Sequence, residues 1–366
     1  MPRKKVSEPC SQEESSPPPA GIRPEEVWKS IEKDYAGVLQ GADSILDAPV
    51  EVVSVTPALD PSLGGGIPTG CWVSVAGIPK GGKTNLALTL AAQAQAMGMT
   101  VYYDDVEHRL KAMNLRGIRG LDTSPEKFRV IRSTEEHILS GKDHLNIVTQ
   151  VLHDHPRSLV IIDSISALAE EGELNTGLDH SSRGGGAKTL SQFTRMVQAV
   201  VPLRRSIVLG ITHLIHNTSG FGAPKVERAA QAWIYQADVR LQIVGKQDWD
   251  VGTKDHPRVV GQQVRWKVLC SALGPPGGEA TAWLRYGVGF DRLFERLIQA
   301  RDLDLITVNG SWVHFTFLKN HPELFGGTAP DPPPKTQGME RAYRTLEENP
   351  SWREALETDC RRELLG

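Results

Sequence analysis

Apolar positions along this chain alternate between short continuous runs and stretches with a helical period. Residues 71–76, 100–106, 128–131, 159–163 and 205–212 are compact apolar or β-branched runs of the kind that forms buried parallel strands. Between them the period changes to that of a helix. Leu86, Leu90 and Ala94 share a face in 85–97, where Gly98 marks the stop, and Leu145, Val148 and Leu152 share one in 144–153. Residues 188–201 continue the alternation as a further helix. Strand–helix repetition as far as Thr212 predicts an α/β fold with a mainly parallel, doubly wound sheet. Three further strands are predicted at 239–244, 263–269 and 280–286. Two long polar segments, 170–186 and 216–230, interrupt the pattern; stretches of that length inside a compact domain are usually functional or mobile.

The flanks read differently. Residues 1–23 are rich in Pro, Ser and Glu behind a basic start at Arg3, Lys4 and Lys5, a composition that predicts a solvated, disordered tail. Residues 24–35 predict a short helix with Trp28 and Ile31 on one side, and 50–55 are β-rich. Beyond 286, a helix at 291–303 turns Leu293, Phe294, Leu297 and Ile298 inward. Two β-runs then meet at Asn309-Gly310, a strong hairpin signal. A Pro/Gly linker at 326–334 precedes helices at 337–348 and 350–364, with Asn349 as the cap of the last and Pro350 at its first position.

Candidate chemistry concentrates at residues 77–84, Gly77, Ile78, Pro79, Lys80, Gly81, Gly82, Lys83 and Thr84, which fit the phosphate-loop pattern G-x-x-x-x-G-K-S/T. A strand before the loop and a helix after it aim backbone N–H groups and a positive helix end at a phosphate, and Asn85 continues the same turn. Lys83 would reach the β- and γ-phosphates, and the Thr84 hydroxyl would help to hold Mg²⁺. The chain is therefore expected to bind a nucleoside triphosphate, ATP with Mg²⁺. Asp163 ends an apolar strand, where a phosphate-loop protein places the acid of the magnesium shell. Glu107, Asp163 and His213 each follow a predicted strand end, so all three should converge on the nucleotide.

Bulk properties narrow the setting. The 366 residues suit one large domain with smaller attachments, and 41 basic against 44 acidic side chains give a net charge of −3. Any nucleic-acid site must then be locally basic. Cys10, Cys71, Cys270 and Cys360 form no C-x-x-C pair, which argues against a zinc ribbon or disulfide scaffold and fits a reducing compartment. The sequence contains neither an apolar run of membrane-span length nor a signal-peptide core, so a cytoplasmic location is expected, with no membrane partner.

In order and separation these pieces resemble the RecA recombinase family, its phage members of the UvsX type included. The resemblance rests on Leu59-Asp60 with the glycine run 64–66 and Ile67, Pro68, Thr69 and Gly70, on the phosphate loop, on Asp105-Val106-Glu107-His108, and on residues 163–168. Ser191-Gln192, Val239-Arg240-Leu241 and residues 286–290 also match. It implies an ATPase that forms a filament on single-stranded DNA and pairs that strand with homologous duplex DNA, with single-strand-binding and loader proteins among its partners. Outside the tail at 1–23, which the resemblance does not cover, it also implies a polymerisation segment at 24–55, which places Trp28 to Tyr35 on a neighbouring subunit. A RecA-like core at 56–286 and a small α+β domain at 287–366 complete the division. By position, Glu107 would orient the attacking water, with Asp104 and Asp105 as nearby rivals. His213 would stand where the family usually has a γ-phosphate-sensing glutamine. The polar segments, bounded at 169–187 and 214–231, would be the DNA loops. Arg183, Lys188 and Arg195 are the candidate contacts of the first, Phe221, Lys225 and Arg228 those of the second; on residues alone, mobile surface loops fit as well.

The resemblance also has gaps. The family's paired interface lysines fall at Cys270 and Ala272, neither of which can carry positive charge; Lys80 is a candidate substitute. The adenine-covering aromatic falls at about Asn114, beside Met113. Tyr235 stands where the family has an aromatic at the subunit contact, with ordinary core packing the competing expectation. The acidic tail common in bacterial members is not seen before Gly366.

Overall fold

The computed structural model describes residues 24–170, 185–216, 225–229, 231–253 and 256–365. The chain forms two compact units, Met1–Val50 and Glu51–Gly366. Within the first, helices Pro24–Asp34 and Asp43–Leu46 bury none of their residues, and Trp28 is 58% exposed. The predicted disordered tail at 1–23 lies outside the described residues.

The larger unit opens with β1 (Val52–Val53), paired antiparallel with β2 (Ile67–Pro68). Its main sheet contains β3 (Trp72–Gly77), β4 (Thr100–Asp104), β5 (Phe128–Ile131), β6 (Ser158–Ile162), β7 (Ile207–His216), β8 (Lys225–Arg228), β9 (Val239–Thr253), β10 (His256–Cys270), β11 (Glu279–Arg285) and β12 (Gly289–Phe290). The order is β12-β11-β10-β9-β3-β7-β6-β4-β5, with β8 paired to the end of β7. From β5 across to β9 the pairings are parallel; from β9 to β12 they are antiparallel.

Alternation along the parallel strands feeds two cores, one per sheet face. Val73, Val75, Leu159, Ile161, Leu209 and Ile211 pack with Leu86 and Leu90 of helix Lys83–Ala96. Trp72, Val160, Ile162 and Val208 pack on the other face, with Leu145 and Val148 of helix Gly141–Asp154 and Phe193 of helix Gly185–Val197. A sheet covered by helices on both sides accounts for the continuous apolar runs of its central strands. This is the α/β class that the alternation predicts.

A third core builds the C-terminal part. Helix Arg292–Asp302, capped by Asp291 accepting from Phe294 N, packs Leu297 with Phe315, Leu346 and Leu356. The Asn309-Gly310 turn joins β13 (Thr307–Asn309) to β14 (Trp312–His314), and β15 (Lys335–Gln337) completes a three-stranded antiparallel sheet.

Several elements differ from their sequence expectation. β7 does not end at Thr212; it continues to His216 and pairs with β8, so part of the second polar segment is hairpin. β9 and β10 extend well past the predicted runs as a 15-residue pair. Their outer halves are largely polar, and they are held by backbone pairing, by cross-strand contacts such as Gln247 Nε2 to Gln263 Oε1 (2.6 Å), and by Trp249, buried against Trp283 and Phe294. β4 stops at Asp104 because the next residues turn, with His108 N donating to Asp105 O. The Asn349 side chain turns back to donate to Thr345 O at 2.7 Å instead of capping the last helix, Pro350–Leu365. None of the described helices is long and apolar enough to cross a membrane.

Candidate active site

Where β3 ends, the chain has five residues, 78–82, to reverse from strand into helix. Gly77 is the last strand residue, and a Cβ there would meet Ile243 at 2.8 Å. Gly82 takes φ +101°, a conformation that side chains resist. Helix Lys83–Ala96 then begins without a side-chain cap, which leaves its first N–H groups free to meet an anion. Lys83 is buried and donates to Gly77 O (2.8 Å) and Ile78 O (3.0 Å). Burial pulls its ammonium below the ordinary lysine range, against the attraction of Asp163 and Glu107.

Strand register brings the other groups alongside. Gly77 is level with His213 across β3 and β7, and Asp104 is level with Ile162 across β4 and β6. Asp163, the first residue past β6, accepts hydrogen bonds at Oδ2 from Thr84 Oγ1 (3.1 Å) and Tyr103 OH (2.6 Å). Burial raises its carboxyl above the usual range. Two hard oxygen donors, the Thr84 hydroxyl and the Asp163 carboxylate, so close together at the helix start suit Mg²⁺.

Glu107 sits in the turn after β4. Its Oε1 accepts from Ser164 Oγ at 2.5 Å, its Oε2 meets Arg109 Nη1 at 2.9 Å, and His213 Nε2 lies 3.7 Å from Oε1. The His213 backbone N donates to Ser166 Oγ, which fixes the strand above this group. Burial first, and Lys83 next, hold His213 below the ordinary imidazole range. A neutral imidazole in this position can donate one hydrogen bond and accept another.

These side chains line one cleft of about 960 Å³, into which Pro79, Lys80, Gly81, Gly82, Lys83, Thr84 and Asn85 project together with Glu107, Asn114, Asp163 and His213. Ile78 contributes its carbonyl to Lys83. Asp104 and Asp105 do not line it. Asp104 is buried against His144 Nδ1 at 2.5 Å, and Asp105 accepts the backbone N–H groups of Arg109 and Leu110. Several cleft residues escape sequence reasoning, Gln262 and Leu284 of the sheet as well as Tyr286 and Arg109. Tyr286, 55% exposed just past β11, carries no chemical signal in sequence beyond its place in a glycine-rich match. Arg109 follows Glu107 by two positions, and in sequence it reads as one more surface cation.

Two of the candidate DNA residues lie on one helix away from the cleft lining. Lys188 and Arg195 are exposed, two turns apart on helix Gly185–Val197, and Arg195 Nε donates to Ser191 O. Lys225 and Arg228 bound β8. Arg183 and Phe221 lie outside the described residues. Cys270 ends β10 half-buried, Ala272 is exposed, and Tyr235 is exposed as well, not packed in a core.

Comparison with known proteins gives a consistent result. The family model of the RecA N-terminal domain matches residues 25–291. Protein RecA of Thermotoga neapolitana is 28% identical over 339 residues, covering 91% of this chain and 90% of the relative. Protein RecA of Nitratidesulfovibrio vulgaris is 29% identical over 342 residues, 91% of this chain and 87% of its own. Protein RecA of Streptococcus sanguinis is 29% identical over 316 residues, with 81% and 80% covered.

Proposed function

The chain belongs to the RecA family, and on that premise we propose that it is an ATP-dependent DNA strand-exchange recombinase, assembling on single-stranded DNA as a filament that pairs with homologous duplex. The observation that carries this reading is the cleft itself, where Lys83, Thr84, Asp163, Glu107 and His213, on or just after four neighbouring strands, face one space. The free N–H groups of helix Lys83–Ala96 and the Lys83 ammonium bind the phosphates. Thr84 and Asp163 hold Mg²⁺, which when bound offsets phosphate charge.

Hydrolysis then needs a water placed in line with the γ-phosphorus. Glu107 orients it and accepts its proton. The water oxygen bonds to phosphorus as the bond to the β–γ bridging oxygen breaks, and that electron pair leaves with ADP. His213, neutral and itself on β7 with Nε2 3.7 Å from Glu107 Oε1, reports the γ-phosphate along β7 to the β7–β8 hairpin, hence to the second candidate DNA loop. The 24–55 segment, with its exposed Trp28, serves polymerisation, and 287–366 forms the accessory domain.

ATP turnover with and without single-stranded DNA tests the reading. DNA should stimulate it, and Glu107→Gln should lower it about 10²- to 10⁴-fold while nucleotide still binds. Turnover indifferent to both DNA and Glu107 contradicts it. A second reading, an ATP-gated DNA-binding mediator with slow hydrolysis, is favoured by Cys270 and Ala272, which offer no cation to a neighbouring subunit. Negligible turnover on saturating DNA would select it.

A further inference from the structure

Arg109 is the cleft residue whose present contact and chemistry do not match. Its backbone is placed firmly: the Asp105 carboxylate accepts Arg109 N at 2.8 Å and Leu110 N at 3.2 Å, and Arg132 Nη2 stands 3.6 Å from the same carboxylate. That turn projects the side chain of Arg109 into the cleft. The guanidinium is hardly held. Among the described residues its one ion pair is with Glu107, and its side chain is 78% exposed where that of Glu107 is 13%. Exposed pairs of this kind are weak, whereas a guanidinium meets phosphate oxygens with two parallel N–H donors. The pair also engages one oxygen of the carboxylate that must orient water. Other cations in the cleft are placed differently. Lys83 is buried and bonded to Gly77 O and Ile78 O at the loop's base, and Lys80 is exposed within the loop.

We propose that Arg109 is a catalytic arginine supplied in cis: with a triphosphate in the cleft, its guanidinium leaves Glu107 for the γ-phosphate oxygens, which stabilises the charge of the transferring phosphoryl group and frees Glu107 Oε2 for the attacking water. The same residue thus restrains the base before nucleotide arrives and assists it afterwards. This rests on the hydrolytic reading above, and a binding measurement separates the two. Calorimetry of the full chain with Mg²⁺ and ADP, alone and with aluminium fluoride, compares the ground state with a mimic of the transferring phosphoryl group.

The wild type should bind ADP about 10²-fold or more tightly with aluminium fluoride present. Arg109→Ala should lose at least about tenfold of that gain with ADP affinity retained, and Arg109→Lys should recover part of it. Turnover on single-stranded DNA should fall in the same order. An undiminished gain in Arg109→Ala overturns the inference, as does faster turnover, which would make Arg109 a restraint alone. Absence of any gain in the wild type would remove the hydrolytic reading, and this inference with it. The side chain is exposed, so neither variant threatens the fold.

Discussion

Glu295 carries a carboxylate into the junction of three segments, 1% exposed, and accepts from Trp283 N (2.8 Å) on β11 and Ala58 N (3.1 Å). Burial pushes its pKa up to about 7, with the two backbone donors and Arg292 opposing. A folded-state pKa above the unfolded value of 4.5 means that the folded chain binds this proton more tightly. The resulting stabilisation is complete below 4.5 and lost as pH rises to about 7, at about 1.4 kcal/mol per unit. Thermal melts of wild type and Glu295→Gln between pH 4.5 and 8 should therefore diverge, the wild type losing ground to the variant as pH rises; a constant difference would refute it. Which residues could be read from sequence follows from how local their chemistry is. Lys83 and Thr84 were legible because the phosphate loop fixes each by spacing, and Asp163 because an apolar run ends on it. Arg109, Tyr103 and Tyr286 were not: Arg109 enters the cleft from a turn held by Asp105, Tyr103 reaches Asp163 from beneath it across the strand register, and Tyr286 lines it from beyond β11. Glu295 looked like one more polar position on an amphipathic helix.

At the scale of elements, β7 is the strand on which the site is assembled. Parallel to β3 and β6, it carries His213 level with Gly77 and continues into the β8 hairpin. Gly210 lets it lie close to its cover: a Cβ there would come within 2.2 Å of Trp233 and 2.5 Å of Ile165. Gly210→Ala should cost about 1–3 kcal/mol by overpacking and loosen the strand under His213, so chemical denaturation should show a lower midpoint. An unchanged midpoint would mean that Trp233 yields freely. Strands β3 to β6 were legible within a residue or two, whereas β7 runs four residues past its expected end. The β9–β10 pair was not read at full length, because its outer halves are largely polar and are held by cross-strand pairing that no local pattern reveals. The β8 hairpin was hidden for the same reason.

On the scale of the whole molecule, the alternation of strand and helix was enough to give the α/β class, because each strand must be covered on both faces and each helix has one apolar side. Assembly was less legible, since the groups that would join subunits or grip DNA show in one chain only as exposed side chains, Trp28, Tyr235, Lys188 and Arg195 among them. The proposal that nucleotide capture licenses assembly has one direct test. Binding of single-stranded DNA is measured for wild type and Lys83→Ala, with and without ATP, alongside electron microscopy of the same samples. Tight binding and filaments should require ATP and Lys83 together, with affinity at least about tenfold weaker when either is missing, and it should fall steeply as salt rises. Equal grip on the strand by Lys83→Ala without ATP would contradict it.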